Sequence, residues 1–467
     1  MINFDYIILE KFLQENGDFL LGAGVRKVQQ PSRQEIILTM RNFGENRKFY
    51  VNINPQFFHI CFMNEKSEKL RHIKFPQKPP MFCMLLRKYI ENSRIIEVCQ
   101  PKEERILELY FKTLDETGEE ISLCLAIELM GKHSNVILYN YDTNVIIGCM
   151  HNVGSEKSRE RELFGGLPYV YPPRRKNVKF IGLSDKLTGY VNEFIDNYFS
   201  KLQYDEKIKT LKNNLLNKTN IDLKKITNTL LKISQKQKSK ESIDLYCKKG
   251  DLIMSNLYHN KDFQKEIEVL DYETGEQIKI ALDETKTLKE NANQFYKLYN
   301  KSKKSKQKND ELIFELNENK RFLEEKLFFI EQSKSIDELE DIISEDLLSK
   351  NVKVPKITEL KIKGYKVYVG KNSRQNDYIV SKIGRKEDIW FHTRLCAGSH
   401  VLLRLESGQS ENDEIIFECA KLAKQNSSGK NSSKVGVIYT KFKNIKKPPA
   451  ANLGYVIYKG EKEILID

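Results

Sequence analysis

Asp388, Trp390, His392 and His400 fall in one short stretch that holds the chain's single tryptophan and two of its seven histidines. A few residues upstream, Lys371 to Asp377 gathers amides, Arg374, a lysine and a serine. A loop of that composition can offer many donors to phosphate and sugar oxygens. Taken singly, Trp390 and Phe391 also read as core and the histidines as satisfied hydrogen-bonders. Two further groups lie near the N-terminus. Gln100 to Arg105 places Glu104 beside Arg105 just before a strand; it could carry chemistry or be a charged turn. Glu128 to Asn135 sets an acid on a strand end, then a glycine turn with Lys132, His133, Ser134 and Asn135, a small polar site or a plain turn. Gly22 to Lys27 is too short for a dinucleotide fingerprint, lacking its third glycine and a preceding strand.

The elements that must position these groups follow from periodicity. Tyr6 to Leu21 has helical spacing, and Glu35 to Met40, Lys48 to Asn52 and His59 to Met63 read as strands. After the break at Lys78-Pro79-Pro80, Met81 to Asn92 reads as a short amphipathic helix with Arg87 near its end. Arg105 to Lys112, Ser122 to Leu129 and Asn135 to Tyr139 alternate as antiparallel strands do. A basic patch follows at Arg174-Arg175-Lys176, and Phe180 to Ser184 opens a helix with Ser184 as its N-cap. Lys207 to Lys240 is helical and dense in lysine, either a solvated face or a surface for RNA phosphates. Tyr246 to Tyr258 is helical, and Ile267 to Leu282 a hairpin. Leu312, Leu316, Leu323, Leu327 and Ile330 form a coiled-coil stripe on a long helix. Ile336 to Leu348 is a second helix ending before Pro355. Asp388 to Thr393 and Val401 to Leu403 are strands around a turn at Ala397 to Ser399. Asn412 to Ala423 is a helix, and Val435 to Thr440 a strand.

The chain has 467 residues and a formal charge of +13. That length accommodates two to four domains with ample core. The basic balance favours polyanionic partners, nucleic acid first and anionic membrane second. No apolar run is long enough to span a bilayer. The N-terminus carries acids early and has no basic region before a cleavage site, so no secretory signal is expected. Eight scattered cysteines without a CxxC pair imply reduced thiols, a cytoplasmic setting and no zinc. No cofactor is expected.

Three pieces, Val369 to Tyr378, Asp388 to Arg394 and Gly398 to Arg404, closely resemble the C-terminal signature of the NFACT family. Ala397 stands where the family usually carries proline. Val25-Arg26-Lys27 with Gln30-Pro31, Pro80 to Lys88, Glu104-Arg105 and Glu128 to Asn135 resemble its N-terminal domain, in the family's order. The family usually has Asp-Arg at Glu104-Arg105. The resemblance implies an α+β multidomain chain: residues 1–176 a mixed α/β domain similar to the N-terminal domain of formamidopyrimidine-type glycosylases, 177–245 a basic helical region (a reduced helix-hairpin-helix), 246–355 a hairpin plus coiled-coil middle, and 356–467 an α/β RNA-binding domain.

By the same resemblance, the chain would be a ribosome quality control factor. It would bind large ribosomal subunits carrying peptidyl-tRNA and recruit aminoacyl-tRNA, charged with alanine in bacterial relatives, for template-free tailing that marks the nascent chain for degradation. It would not be an enzyme; it would position tRNA while the ribosome transfers peptide. Arg87, Glu104, Arg105 and Glu128 would contact tRNA; Arg374, Asp388, His392 and His400 would face RNA in the last domain. No metal and no membrane enter this reading. An adhesin, implied by the family's older fibronectin-binding name, is opposed by the basic charge and the missing signal. A nucleic-acid-processing enzyme lacks a metal cluster or an obvious nucleophile.

Overall fold

The computed structural model describes residues 4–114, 117–156, 158, 160–173, 182–238, 243–258, 260–345, 354–406, 408–449 and 451–467. The fold is of mixed helix and strand content and divides into two units, Met1–Lys207 and Ile208–Asp467. The basic patch expected at Arg174-Arg175-Lys176 lies outside the described residues.

In the first unit, α1 (Tyr6–Leu20) starts at an Asp5 cap, whose carboxylate accepts from the Ile8 amide at 2.8 Å. Ile8, Leu9, Phe12, Phe19 and Leu20 recur at helical spacing and are buried. Two antiparallel meanders follow. The first is β1 (Gly24–Ser32), β2 (Glu35–Asn42), β3 (Glu45–Asn52) and β4 (His59–Met63). After α2 (Glu65–Arg71) and α3 (Met81–Ile90), the second is β5 (Arg94–Cys99), β6 (Ile106–Leu114), β7 (Glu120–Glu128), β8 (Asn135–Asn140) and β9 (Val145–Cys149). They join into a nine-stranded sheet of order β4-β3-β2-β1-β5-β6-β7-β8-β9. The β1–β5 seam pairs only Gly24 with Arg94 in register. Register shifts interrupt the β1–β2 and β5–β6 pairings, and another lies between β8 and β9.

The core sits where Phe12, Phe49 and Phe62 meet Ile195 and Phe199 from the first turns of α4 (Val191–Lys238). Beneath it, Arg71 is buried against Asp196 at 2.6 Å and stacks over Tyr50. Burial would expel this guanidinium but for the carboxylate that neutralises it. Ser184 is not the expected N-cap: it lies inside a short 3₁₀ turn, Leu183–Lys186, whose cap is Gly182, and its amide and hydroxyl both donate to Asp5.

In the second unit, α5 (Ile243–Ser255) packs along α6 (Leu288–Gln332), and β10 (Glu266–Leu270) pairs with β11 (Gln277–Ala281). A reciprocal Thr287–Glu290 capping box starts α6. The leucine stripe lies on this one helix. Its end is buried, with Phe328, Phe329 and Ile330 against Leu215 of α4 and Leu339 and Ile342 of α7 (Ile336–Glu345); Leu312 is exposed.

The last domain is a six-stranded antiparallel sheet built from β12 (Thr358–Ile362), β13 (Tyr365–Val369), β14 (Ile389–Thr393), β15 (Val401–Arg404), β16 (Val435–Lys441) and β19 (Lys462–Ile466), with a two-stranded ribbon of β17 (Ile445–Lys446) and β18 (Ile457–Tyr458). The spatial order is β12-β13-β15-β14-β16-β19. Two short helices complete it, α8 (Ser373–Tyr378) between β13 and β14, and α9 (Asp413–Gln425) between β15 and β16. Ile389, Phe391, Val401 and Leu403 pack with Ile415 and Cys419 of α9. Trp390, Leu402 and Ile438 form the opposite cluster, joined by Ile379 of the π turn that follows α8. The strict alternation is what puts Trp390 and His392 on the face away from α9. Among the described residues no helix is long and apolar enough to cross a membrane.

Candidate nucleic-acid interfaces

A cavity of about 1940 Å³ opens on the first unit. Its size exceeds that of ordinary small-molecule pockets and suits a segment of a macromolecule. The turn before β6 forms one wall, bringing Lys102, Glu104 and Arg105 to the cavity. That turn is stapled: the Glu104 amide donates to the Pro101 carbonyl at 2.9 Å, and Gln100 Nε2 donates to both the Glu104 and Tyr6 carbonyls. The Arg105 guanidinium lies 5.7 Å from the Phe58 ring centroid. Burial pulls the Arg105 pKa down, and the charges of Glu104 and Asp5 work against that pull. A cation held this way is partly desolvated, with acidic groups of its own chain offsetting the cost.

The second wall is the β7–β8 turn. Gly131 takes a φ of 65°, which only glycine adopts readily, and a 3₁₀ turn over Gly131–His133 leaves Lys132 and His133 exposed. Ser134 and Asn135 are buried and structural: Ser134 Oγ accepts from the Met130 amide, and Asn135 bridges both backbone groups of His151. The Leu129 amide donates to the Arg105 carbonyl at 2.8 Å, so the two walls are tied together. The floor is closed by α3 against β9. A Cβ on Gly148 would meet Leu85 Cδ1 at 2.8 Å, so the leucine side chain packs directly over this glycine.

Two of the four residues expected to contact tRNA do not reach the cavity. Glu128 is fully buried. It pairs with Arg161 through both oxygens and accepts from the Tyr169 hydroxyl at 3.0 Å. Its place is behind the wall, where it holds Arg161, and Arg161 lines the cavity instead. Arg87 donates from Nε to the Val28 carbonyl at 2.9 Å and lies 4.0 Å from Glu91, so it clasps α3 to β1. Of the four, Glu104 and Arg105 line the cavity, together with Arg33 and Arg161, which the sequence reading did not single out. Arg161 comes from an irregular segment with no periodic signal.

In the second unit the expected RNA-facing residues turn inward. Asp388 is 1% exposed; it accepts from Arg404 Nε at 3.0 Å and from the Arg385 and Leu405 amides. This is a buried ion pair that fixes the strand end, with Arg404 also donating to the Ile383 carbonyl and stacking over Tyr368. His392 and His400 are buried as well. The His392 ring is parallel to Trp390 with centroids 5.8 Å apart, and His400 meets both edge-on. Burial, with the charge of Arg321 adding to it, lowers the His392 pKa to about 4. Burial, then His392 and Arg321, push His400 well below the ordinary histidine range. Both rings are neutral at neutral pH.

The stretch Lys371 to Asp377 is not the expected donor loop. It enters α8, capped by Asn372, and its amides are used internally: Asn376 Nδ2 donates to the Gly398 carbonyl, its Oδ1 accepts from the His400 amide, and Gln375 accepts from the Lys371 amide. Arg374 donates to Ser344 at 3.0 Å. Among the residues this domain leaves exposed are Lys446 of β17 and Lys462 of β19.

The family model for the NFACT N-terminal and middle domains matches residues 5–188 and 181–356, and that for the NFACT protein RNA binding domain matches 356–462. The chain is 26% identical to the Rqc2 homolog RqcH of Bacillus subtilis over 100% of its own length and 98% of the relative's. It is 24% identical to the protein of the same name from Streptococcus pneumoniae, with the same coverage of both chains. It is 38% identical to the coiled-coil domain-containing protein 25 homolog of Dictyostelium discoideum over 104 residues, 21% of this chain and 50% of that one. With both domain models met in order along nearly all of its length, the chain belongs to the NFACT family.

Proposed function

We propose that this protein is a ribosome-associated quality control factor. In this reading it binds large ribosomal subunits blocked by peptidyl-tRNA and recruits a second tRNA, alanyl in the first instance, for template-independent extension of the stalled chain. The observation that carries the reading is end-to-end similarity to relatives named Rqc2 homolog RqcH, together with a cavity whose walls present Arg105, Lys132 and His133. The site works by placement. Cations neutralise tRNA phosphates, the Gln100–Arg105 turn supplies a fixed guanidinium, and ribosomal RNA carries out peptide transfer, so the protein contributes proximity and no covalent intermediate. Such work belongs in the cytoplasm.

The test is sucrose-gradient sedimentation of the tagged protein from cells with stalled translation, followed by sequencing of the bound RNA. Comigration with large subunits and enrichment of one tRNA is the expected result, and the enriched tRNA identifies the amino acid. Migration free of ribosomes under those conditions would overturn the reading. Subunit binding without tRNA would remove the tailing role and leave a stalled-subunit sensor.

A further inference from the structure

The nine-stranded sheet of the first unit has two faces, and α1 and α3 pack against one of them. The other face carries the alternate residues of β6 to β8, among them Glu108, Tyr110, Cys124 and Tyr139. The segment that brings Val153, Leu163 and Tyr169 covers part of it. Two carboxylates of neighbouring strands are buried in this face, Glu108 of β6 and Glu128 of β7. Glu128 is ion-paired with Arg161. Glu108 is 2% exposed, and among the described residues no arginine, lysine or histidine pairs with it. Its oxygens accept from phenols instead: Oε1 from the Tyr171 hydroxyl at 2.6 Å, Oε2 from the Tyr110 hydroxyl at 3.0 Å. Neutral donors offset a buried negative charge only in part.

The rings around this carboxylate are open to solvent. Tyr171 is 48% exposed and Tyr141 54% exposed. Tyr110 is half-buried and meets Tyr141 edge-on, with centroids 5.0 Å apart. Because both hydroxyl hydrogens go to Glu108, the remaining lone pairs of the two phenol oxygens are acceptors, and the carboxylate polarises them. Burial, then the bond to Glu108, hold the Tyr171 phenol above its usual range, so it keeps its proton at neutral pH. The rim is acidic. Glu97, the cross-strand partner of Tyr110, and Asp142, next to Tyr141, are both exposed. Lys112 on the same face is held by Glu120 at 2.5 Å. On a chain of charge +13, such a patch disfavours phosphate and favours a cation.

We propose that this patch docks a basic polypeptide partner through an arginine side chain, whose guanidinium lies against the Tyr171 ring and donates to the Tyr110 and Tyr171 oxygens. A planar fork of N–H donors matches two acceptors that share one carboxylate, and it stacks on a ring; an ammonium does neither as well. Glu108 does not touch the partner. It is a positioning residue that orients and polarises the two phenols. The proposal does not depend on the role of the cavity as an RNA interface.

The test uses the full chain and three unlabelled decapeptides that alternate glycine with arginine, with lysine or with citrulline, which keeps the arginine shape without its charge. Isothermal titration calorimetry at one salt concentration reads the three affinities. The arginine peptide is expected to bind on the order of tenfold more tightly than the lysine peptide, and the citrulline peptide not measurably. Tyr171→Ala is expected to abolish the preference for arginine. Glu108→Gln, which keeps the side-chain shape, is expected to lower the arginine-to-lysine ratio although the rings remain. The wild-type comparison needs no variant, so it stands even if Glu108→Gln does not fold. Equal affinity for arginine and lysine overturns the proposal, since the acidic rim alone would give that result. An arginine preference that survives in Tyr171→Ala overturns it too, as does failure of the arginine peptide to bind.

Discussion

Around the Gln100–Arg105 turn, side chains of ordinary polar type point into an open cavity, and the backbone hydrogen bonds that fix the turn lie behind them. Around Asp388 to Arg404, residues of the same chemical types point into the protein, where Asp388, His392 and His400 are all nearly inaccessible. Both regions are motif-dense in the sequence. The difference lies in what the strand geometry does with the motif. In the first unit Lys102, Lys132 and His133 sit exposed in turns at strand ends, with Glu104 and Arg105 half-buried beside them. In the second the polar residues sit within β14 and at the start and end of β15, where one face is sealed by α9 and the other by α8, its π turn and the β18 aromatics. A motif in a turn keeps polar side chains at a surface; a motif within a doubly covered strand uses them to hold the sheet and its two helices together.

The contrast can be broken or sharpened by experiment. The largest effect is expected from Asp388→Ala. It leaves Arg404 buried without its carboxylate and should cost about 3–5 kcal/mol of stability, read by chemical denaturation, with little change in RNA affinity where the protein remains folded. A loss of RNA binding without loss of stability would place Asp388 at the interface after all. Glu128→Gln should cost about 1.5–3 kcal/mol because the charge-assisted bonds to Arg161 are weakened. Hydrogen exchange should rise around Arg161 to Tyr169. Arg105→Glu should do the reverse of Asp388→Ala: tRNA affinity falls on the order of tenfold or more, while stability shifts by no more than about 0.5 kcal/mol.

The histidines give a pH test with a defined sign. His392 and His400 are held below their ordinary value, so the unfolded chain binds more protons than the folded one as pH falls. The stability they contribute is complete above about 6.5 and is lost on acidification toward the His392 value of about 4. Exchange protection in β14 should therefore fall across that window, and His392→Phe should flatten the dependence. A flat wild-type profile would mean that the rings are not buried as described. The smallest effect is expected from Lys132→Ala, which should lower the slope of log tRNA affinity against log salt by about one unit and leave stability unchanged.

Much of the fold was legible because its elements keep clean periods. α1, α3, β2 to β4, β6 to β8, the β10–β11 hairpin and α9 all fall where alternation or helical spacing puts them. β1 was not legible, because two register shifts interrupt its pairing with β2 and break its alternation. α8 was taken for a loop because serine, asparagine and aspartate are poor helix formers. Its stability comes from the Asn372 cap and from tertiary hydrogen bonds to Gly398 and His400, which no local window contains. For the site, turn chemistry pointed to Glu104 and Arg105. It could not separate Glu128, on a strand end facing inward, from Lys132 four residues later on an exposed turn. Exposure there is decided by the 3₁₀ turn at Gly131 and by the segment carrying Arg161, neither of which has a periodic signature.

The seam between β1 and β5 also governs the order in which the molecule can assemble. On either side of it, chain order and spatial order coincide, so each meander closes only short loops as it forms. A chain emerging from its own ribosome completes β1 to β4 before the first residue of β5 exists. The cavity takes Gln30 and Arg33 from the earlier meander and Arg105, Lys132 and Arg161 from the later one. Its walls come together only when the seam closes, so a half-made copy of this protein carries the parts of a binding site and cannot yet grip what the finished one holds.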